Sequence, residues 1–367
     1  MSHRIRRVQQ LAVAPAPLVG RFGLFAERLD VQTNDPRILA AAAASFGRFE
    51  VPASGKPLVV RLVVGDGEPG RAGTPPVRPD TPEPQPATRA GPLDARDLAH
   101  ETAGHLFTIT LGTAGRAAVD VATGYSSGTV SAALAATPGL LRYAFVEAMA
   151  QAMLTGGRGY VPVHASCVVH GGVGIVLQGP AGAGKSTLAL ACARRGWGLL
   201  AEDVVFARPV DGPGAGGSIE LWGMPWTQRL LPDASRFFPE LGEAEARLQA
   251  NGERKLEIDL DDHTPGAATP RAAAGPVVLL ARDSGGRTRA EWLTPGDAPA
   301  EVEVLWPWEG GWTAARQGTA ERLLDGGLIR LHVNGTPDEA IDALEGILAT
   351  PPDRTGTAQA SVASHPR

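Results

Sequence analysis

The stretch Gly179-Pro180-Ala181-Gly182-Ala183-Gly184-Lys185-Ser186-Thr187 constrains this chain more than any other. It reads Gly, four free positions, then Gly-Lys-Ser/Thr, the pattern of a loop that wraps nucleotide phosphates. Glycines reach backbone conformations that turn successive N–H groups inward toward phosphate oxygens. The lysine adds a point charge on the outer phosphates, and the hydroxyl after it can ligate Mg²⁺. The helix that must follow points its positive end at the same anion. The flanks agree: Val173-Gly174-Ile175-Val176-Leu177 reads as a buried strand, and Leu188 to Ala193 as a helix.

With 46 glycines in 367 residues, glycine-rich coincidences are expected, but lysine is scarce. Only Lys56, Lys185 and Lys255 occur among 34 basic residues, so each bears separate scrutiny. Lys255 lies in the charged run Glu253 to Glu257; a solvated face is the plain reading, and a second phosphate contact is the functional one. The net charge of -5 gives no electrostatic case for nucleic acid or anionic lipid. Cys167 and Cys192 form no disulfide framework or metal spacing and are expected to pack as small apolar residues. No signal-peptide core follows the basic N-terminus, and no apolar run of about eighteen residues occurs. A cytoplasmic protein without membrane or nucleic-acid partners is expected.

In chain order, residues 1–65 read as a small α/β segment after a loose lead-in. Strands are expected over Phe22 to Val31 and Pro57 to Val64, with a helix from Asp35-Pro36 to Phe46 between them. Residues 66–98 alternate proline with Gly, Thr, Glu and Arg, the composition of a disordered linker or loop. Strand patterns return at His105 to Leu111, Ala117 to Val121 and Thr129 to Leu134. Thr137-Pro138 opens a helix whose apolar face carries Leu141, Phe145, Ala148, Met149 and Ala152. Val161 to Val169, a Gly171-Gly172 turn and the strand entering the loop predict an antiparallel hairpin. Further on, Arg229 to Phe238 and Ala244 to Ala250 look partly helical, Glu301 to Trp306 is ambiguous, and Thr336 opens a capped final helix. Residues 351–367 read as a disordered tail. The expected organisation is thus 1–65, a linker at 66–98, a phosphate-loop domain over 99–350, and a tail.

Trp197 to Ala201 is a second apolar strand, ending in Glu202-Asp203. A strand, helix and strand in one parallel unit would bring these acids to the loop, outside the carboxyl ends of the strands. Asp203 is expected mainly at metal, together with Ser186, and Glu202 mainly as a base. The plain alternative is a solvated strand end. His164, on the strand paired beside the loop, is either a structural histidine or part of the site.

His164-Ala165-Ser166, the hairpin, the loop, Arg195-Gly196 and Ala201-Glu202-Asp203 together resemble the catalytic domain of HPr kinase/phosphorylase and its relatives. That fold is related to ATP-dependent phosphoenolpyruvate carboxykinase. The likeness covers about residues 160–210 closely and about 140–350 in outline. It implies an α/β fold with a P-loop kinase domain of the HPr kinase C-terminal type, preceded by a small N-terminal α/β region. It also implies ATP and Mg²⁺ at Lys185 and Ser186, a catalytic base at Glu202, support from Asp203 and His164, and homo-oligomers. Glu202 stands where relatives carry Asp, and the glycine-rich signature for recognising HPr is absent. The resemblance therefore implies an ATP- and Mg²⁺-dependent kinase acting on a serine-type hydroxyl of some other protein, peptide or small molecule, with phosphorylase activity as its reverse reaction. Two other classes stay open: a small-metabolite kinase of the shikimate or adenylylsulfate type, and an ATP-binding switch that transfers nothing.

Overall fold

The computed structural model describes residues 15–65, 93, 97–210, 218–243, 246–248, 253–282, 286–293 and 313–350. The linker expected at 66–98 falls almost wholly outside these residues, as do 301–306 and the tail 351–367. Among the described residues the chain is a mixed α/β protein with three sheets.

The first sheet comprises β1 (Leu18–Leu24), β2 (Glu27–Thr33), β3 (Leu58–Gly65), β4 (Leu98–Ala103), β5 (Leu106–Leu111), β6 (Gly115–Asp120) and β7 (Tyr125–Ser131). Its strand order is β1-β2-β3-β7-β6-β5-β4, so the segments before and after the proline-rich stretch share one sheet through the parallel β3–β7 pair. The helix Pro36–Phe46 starts as expected: Asp35 accepts from the Arg37 backbone N–H, and Pro36 occupies the first turn. It buries Ile38, Ala41, Ala42 and Phe46. A second helical layer runs from Pro138 to Gly157, and the apolar face expected there is buried from Leu141 through Ala152. Residues Arg142–Glu147 of that layer form a π-helical turn, a geometry concentrated at functional sites.

The second sheet holds nine strands. They are β8 (Val161–His164), β9 (Ser166–His170), β10 (Val173–Gln178), β11 (Gly198–Ala201), β12 (Val204–Pro209), β13 (Ile219–Trp222), β17 (Arg271–Ala281), β18 (Arg289–Leu293) and β19 (Leu328–His332). The expected β9–β10 hairpin is present, with Val173 opposite His170. β11 also pairs antiparallel with β9, so β10 and β11 run parallel with β9 between them and the helix Lys185–Arg194 as crossover. The single strand anticipated over Val161 to Val169 is instead broken at Ala165. Residues before the break pair with β12 and those after it with β10 and β11. The small third sheet, in order β14-β16-β15, consists of β14 (Thr227–Leu230), β15 (Ala246–Leu248) and β16 (Arg254–Asp259).

Local expectations fail here for physical reasons. Arg229 begins no helix; it lies in β14, and Pro232 disfavours helical geometry at Leu231 before a short 3-10 turn over Pro232–Arg236. The helix anticipated over Ala244 to Ala250 gives way to strand β15, paired to β16. The strand anticipated to Leu134 stops at Ser131, whose hydroxyl accepts from the Leu134 N–H and caps a short helix.

One aromatic cluster joins the first sheet to the second. Phe25 turns the β1–β2 corner at φ 58, a backbone conformation disfavoured for a bulky side chain. Its buried ring lies 5.1 Å from that of Phe206, 5.4 Å from Tyr160 and 5.6 Å from both Phe49 and Trp222. Burial of the ring offsets the strained turn and holds β12, which begins directly after Asp203. Phe25→Ala is expected to lower unfolding stability by about 3–5 kcal/mol in chemical denaturation; a loss below about 1 kcal/mol would show that the cluster does not join the layers.

Candidate functional site

The loop Gly179–Gly184 links the end of β10 to the helix Lys185–Arg194. Gly182 and Gly184 adopt φ 77 and φ 99, conformations open to glycine at little cost. A side chain at Gly182 would meet nothing within 4 Å, so the loop is tight in backbone and open in space. The Lys185 ammonium folds back on the loop, donating to the Gly179 carbonyl at 2.6 Å and the Pro180 carbonyl at 3.3 Å. Ser186 Oγ donates to Glu202 Oε1 at 2.9 Å.

Glu202 is the most constrained charge of the site. It stands at the end of β11, 5% exposed. Its backbone carbonyl accepts from the Ser166 hydroxyl, and the next carbonyl, that of Asp203, accepts from the Ala165 N–H at 3.0 Å. The strand break at Ala165 thus pins both acids to the loop side of the sheet. Burial, reinforced by the Asp203 charge, pushes the Glu202 carboxyl from its ordinary 4.5 up to about 7. Arg229, the Ser186 hydroxyl and Lys255 pull in the opposite direction.

Asp203 is far more open, with 49% of its side chain exposed, and its Oδ1 lies 3.3 Å from His164 Nδ1. That nitrogen is sealed from solvent and is not aligned for a hydrogen bond, so the contact is one of proximity. β8 and β12 set it, pairing His164 with Val204. Ser186 thus meets Glu202, and His164 stands beside the neighbouring acid Asp203, while the Lys185 ammonium rests on the loop carbonyls. Lys255, on β16, acts on Glu202 through space while its ammonium lies 3.4 Å from Glu253.

Arg229 escaped the sequence reading. Its guanidinium Nη1 lies 3.9 Å from Glu202 Oε2, and its Nε 3.4 Å from Glu257 Oε2. In a chain this rich in arginine no local pattern singles it out; the pairing of β14 with β16 sets it opposite Glu257, and the packing of the small sheet brings it to Glu202.

A cleft of about 480 Å³ runs past Gly184 and Thr187, with Phe237, Arg282 and Asn334 among its lining residues. Its size suits a small ligand. Among the described residues, no three His, Cys, Asp or Glu side chains form a ready metal cage. A glycine cradle and an ammonium nonetheless suit phosphate oxygens, and a hydroxyl with an adjoining carboxylate suits a phosphate-bound Mg²⁺, whose shell is typically completed by phosphate oxygens and water. Among the described residues no helix is long and apolar enough to cross a membrane.

The buried acid gives a pH signature. Its folded-state value lies above its unfolded one, so between about pH 4.5 and about pH 7 the folded protein binds the extra proton. Stability from this group is present in acid, falls across that window and stays low above it. Glu202→Gln is expected to remove this slope, raising the melting temperature relative to wild type at about pH 8 more than at about pH 5. Parallel melting profiles for the two proteins would contradict it.

No family model matches the chain, and a search of curated proteins finds no relative. Among solved structures the chain is similar to the HPr(Ser) kinase/phosphatase from Coxiella burnetii, at 13% identity and a TM-score of 0.28, over 51% of this chain and 96% of that one.

Proposed function

We propose that the chain is a kinase that binds ATP with Mg²⁺ on Gly179–Thr187 and passes the γ-phosphoryl group to a hydroxyl-bearing protein, peptide or small molecule. The observation that carries this reading is the hydrogen bond from Ser186, in the glycine-rich loop's helix, to the buried Glu202 carboxylate. A glycine-rich surface turn has no use for a buried acid at its hydroxyl. The cleft past Gly184 and Thr187 would take the nucleoside end.

In this reading the two acids exchange the roles expected from sequence alone. Ser186 and Glu202 would hold Mg²⁺, which supplies charge neutralisation at the phosphates. Lys185 leaves the loop carbonyls for the outer phosphate oxygens. Asp203 is the acid an acceptor can reach, since Glu202 is enclosed between Ser186 and Arg229. The acceptor oxygen bonds to the γ-phosphorus, its proton passes to Asp203, and the bond to the departing ADP breaks. His164, 3.3 Å from Asp203 Oδ1, limits where that carboxylate can sit.

Calorimetry and γ-labelled ATP test this, with water or lysate components as acceptors. Lys185→Ala should lose ATP binding. Asp203→Asn should keep it while losing about 10²- to 10⁴-fold in label transfer or hydrolysis. Wild-type ATP affinity in Lys185→Ala would overturn the reading. Unimpaired transfer in Asp203→Asn, with loss in Glu202→Gln, would return the base to Glu202. ATP binding with no release of label to any acceptor would favour a switch.

A further inference from the structure

We infer that Arg229 recognises the terminal phosphate of the bound nucleotide, so that the small third sheet makes the site selective for triphosphate over diphosphate. This rests on the phosphate-binding reading above. Arg229 lies in β14 directly across from Glu257 in β16, with 29% of its side chain exposed. Its Nε is sealed from solvent and has no hydrogen-bond partner among the described residues. The 3.9 Å and 3.4 Å approaches to Glu202 and Glu257 are ion-pair contacts rather than well-formed hydrogen bonds. A guanidinium carries five donors in a planar fork, and nothing in this arrangement uses that fork fully.

Glu202 connects it to the loop. One carboxylate oxygen accepts from Ser186 and the other faces Arg229, so the guanidinium stands one carboxylate away from the loop's metal-binding hydroxyl. Lys185, at the start of the crossover helix, serves the inner side of the outer phosphates, whereas Arg229 approaches from a separate sheet. That sheet has its own anchor. Arg48 pairs with Asp259 and reaches Asp261 at 3.1 Å, and the Phe49 ring packs edge-on against Trp226 at 4.7 Å. Arg229 is therefore held at the rim by contacts outside the loop. A terminal phosphate offers two oxygens to the fork, a better match than two imperfect carboxylate contacts. Lys255 is the weaker candidate, its ammonium being near Glu253.

The test is titration of Mg·ATP and Mg·ADP into the full chain, its Arg229→Ala and Arg229→Lys variants, and Lys185→Ala. Arg229→Ala is expected to weaken ATP about 10- to 100-fold and ADP by less than about twofold. Arg229→Lys should recover part of the ATP affinity and, should the alanine variant fold poorly, carries the test instead. Equal weakening of both nucleotides, or no weakening of either, overturns the assignment. If Lys185→Ala loses both nucleotides while Arg229 variants keep the ATP-to-ADP ratio, only the role of Arg229 fails. If Lys185→Ala binds ATP normally, the phosphate-loop reading fails with it.

Discussion

The site depends on keeping one carboxylate, that of Glu202, out of water. Burying an ionisable group is costly unless partners compensate it, and the chain supplies partners from three directions. Ser186 comes from the loop helix, Arg229 from the small sheet, and Ser166 fixes the backbone of Glu202 from the neighbouring strand. The compensation is incomplete, and the carboxyl rises to about 7. An acid in that condition would gain from a cation, which gives the arrangement its chemical direction.

The surrounding architecture keeps this acid in place. β9 lies between β10 and β11, so the loop and the acid pair emerge on the same side of the sheet. At Ala165 the upstream strand changes partners, and that change sets His164 beside Asp203 while Ser166 holds Glu202. The N-terminal segment takes part as well. Through Phe25 it packs on β12, and through Arg48 and Phe49, just past its helix, it holds the sheet bearing Arg229. The N-terminal segment, which carries no chemical motif, thus positions charges that do.

Much of this was legible in the sequence. The loop, its strand and its helix follow from glycine conformation and a run of apolar residues, both local properties. The hairpin and the closeness of the acids to the loop follow from short connections. What escaped is non-local. Nothing in Trp197 to Asp203 tells which acid meets Ser186, because that depends on the β9–β11 register and its irregularity between Leu199 and Ala201. Arg229 sits in a four-residue strand followed by a turn that proline opens, too short for periodicity to identify. Its partners, Glu202 and Glu257, are brought to it by a fold rather than by spacing.

The most direct measurement is a crystal structure of the full chain with Mg²⁺ and a non-hydrolysable ATP analogue. The account predicts phosphates on the backbone N–H groups of Gly179–Thr187, Mg²⁺ at Ser186 beside Glu202, and the Arg229 guanidinium on a terminal phosphate oxygen. A nucleotide bound elsewhere, or bound with Ser186 still on Glu202 and no metal between them and the phosphates, would contradict it.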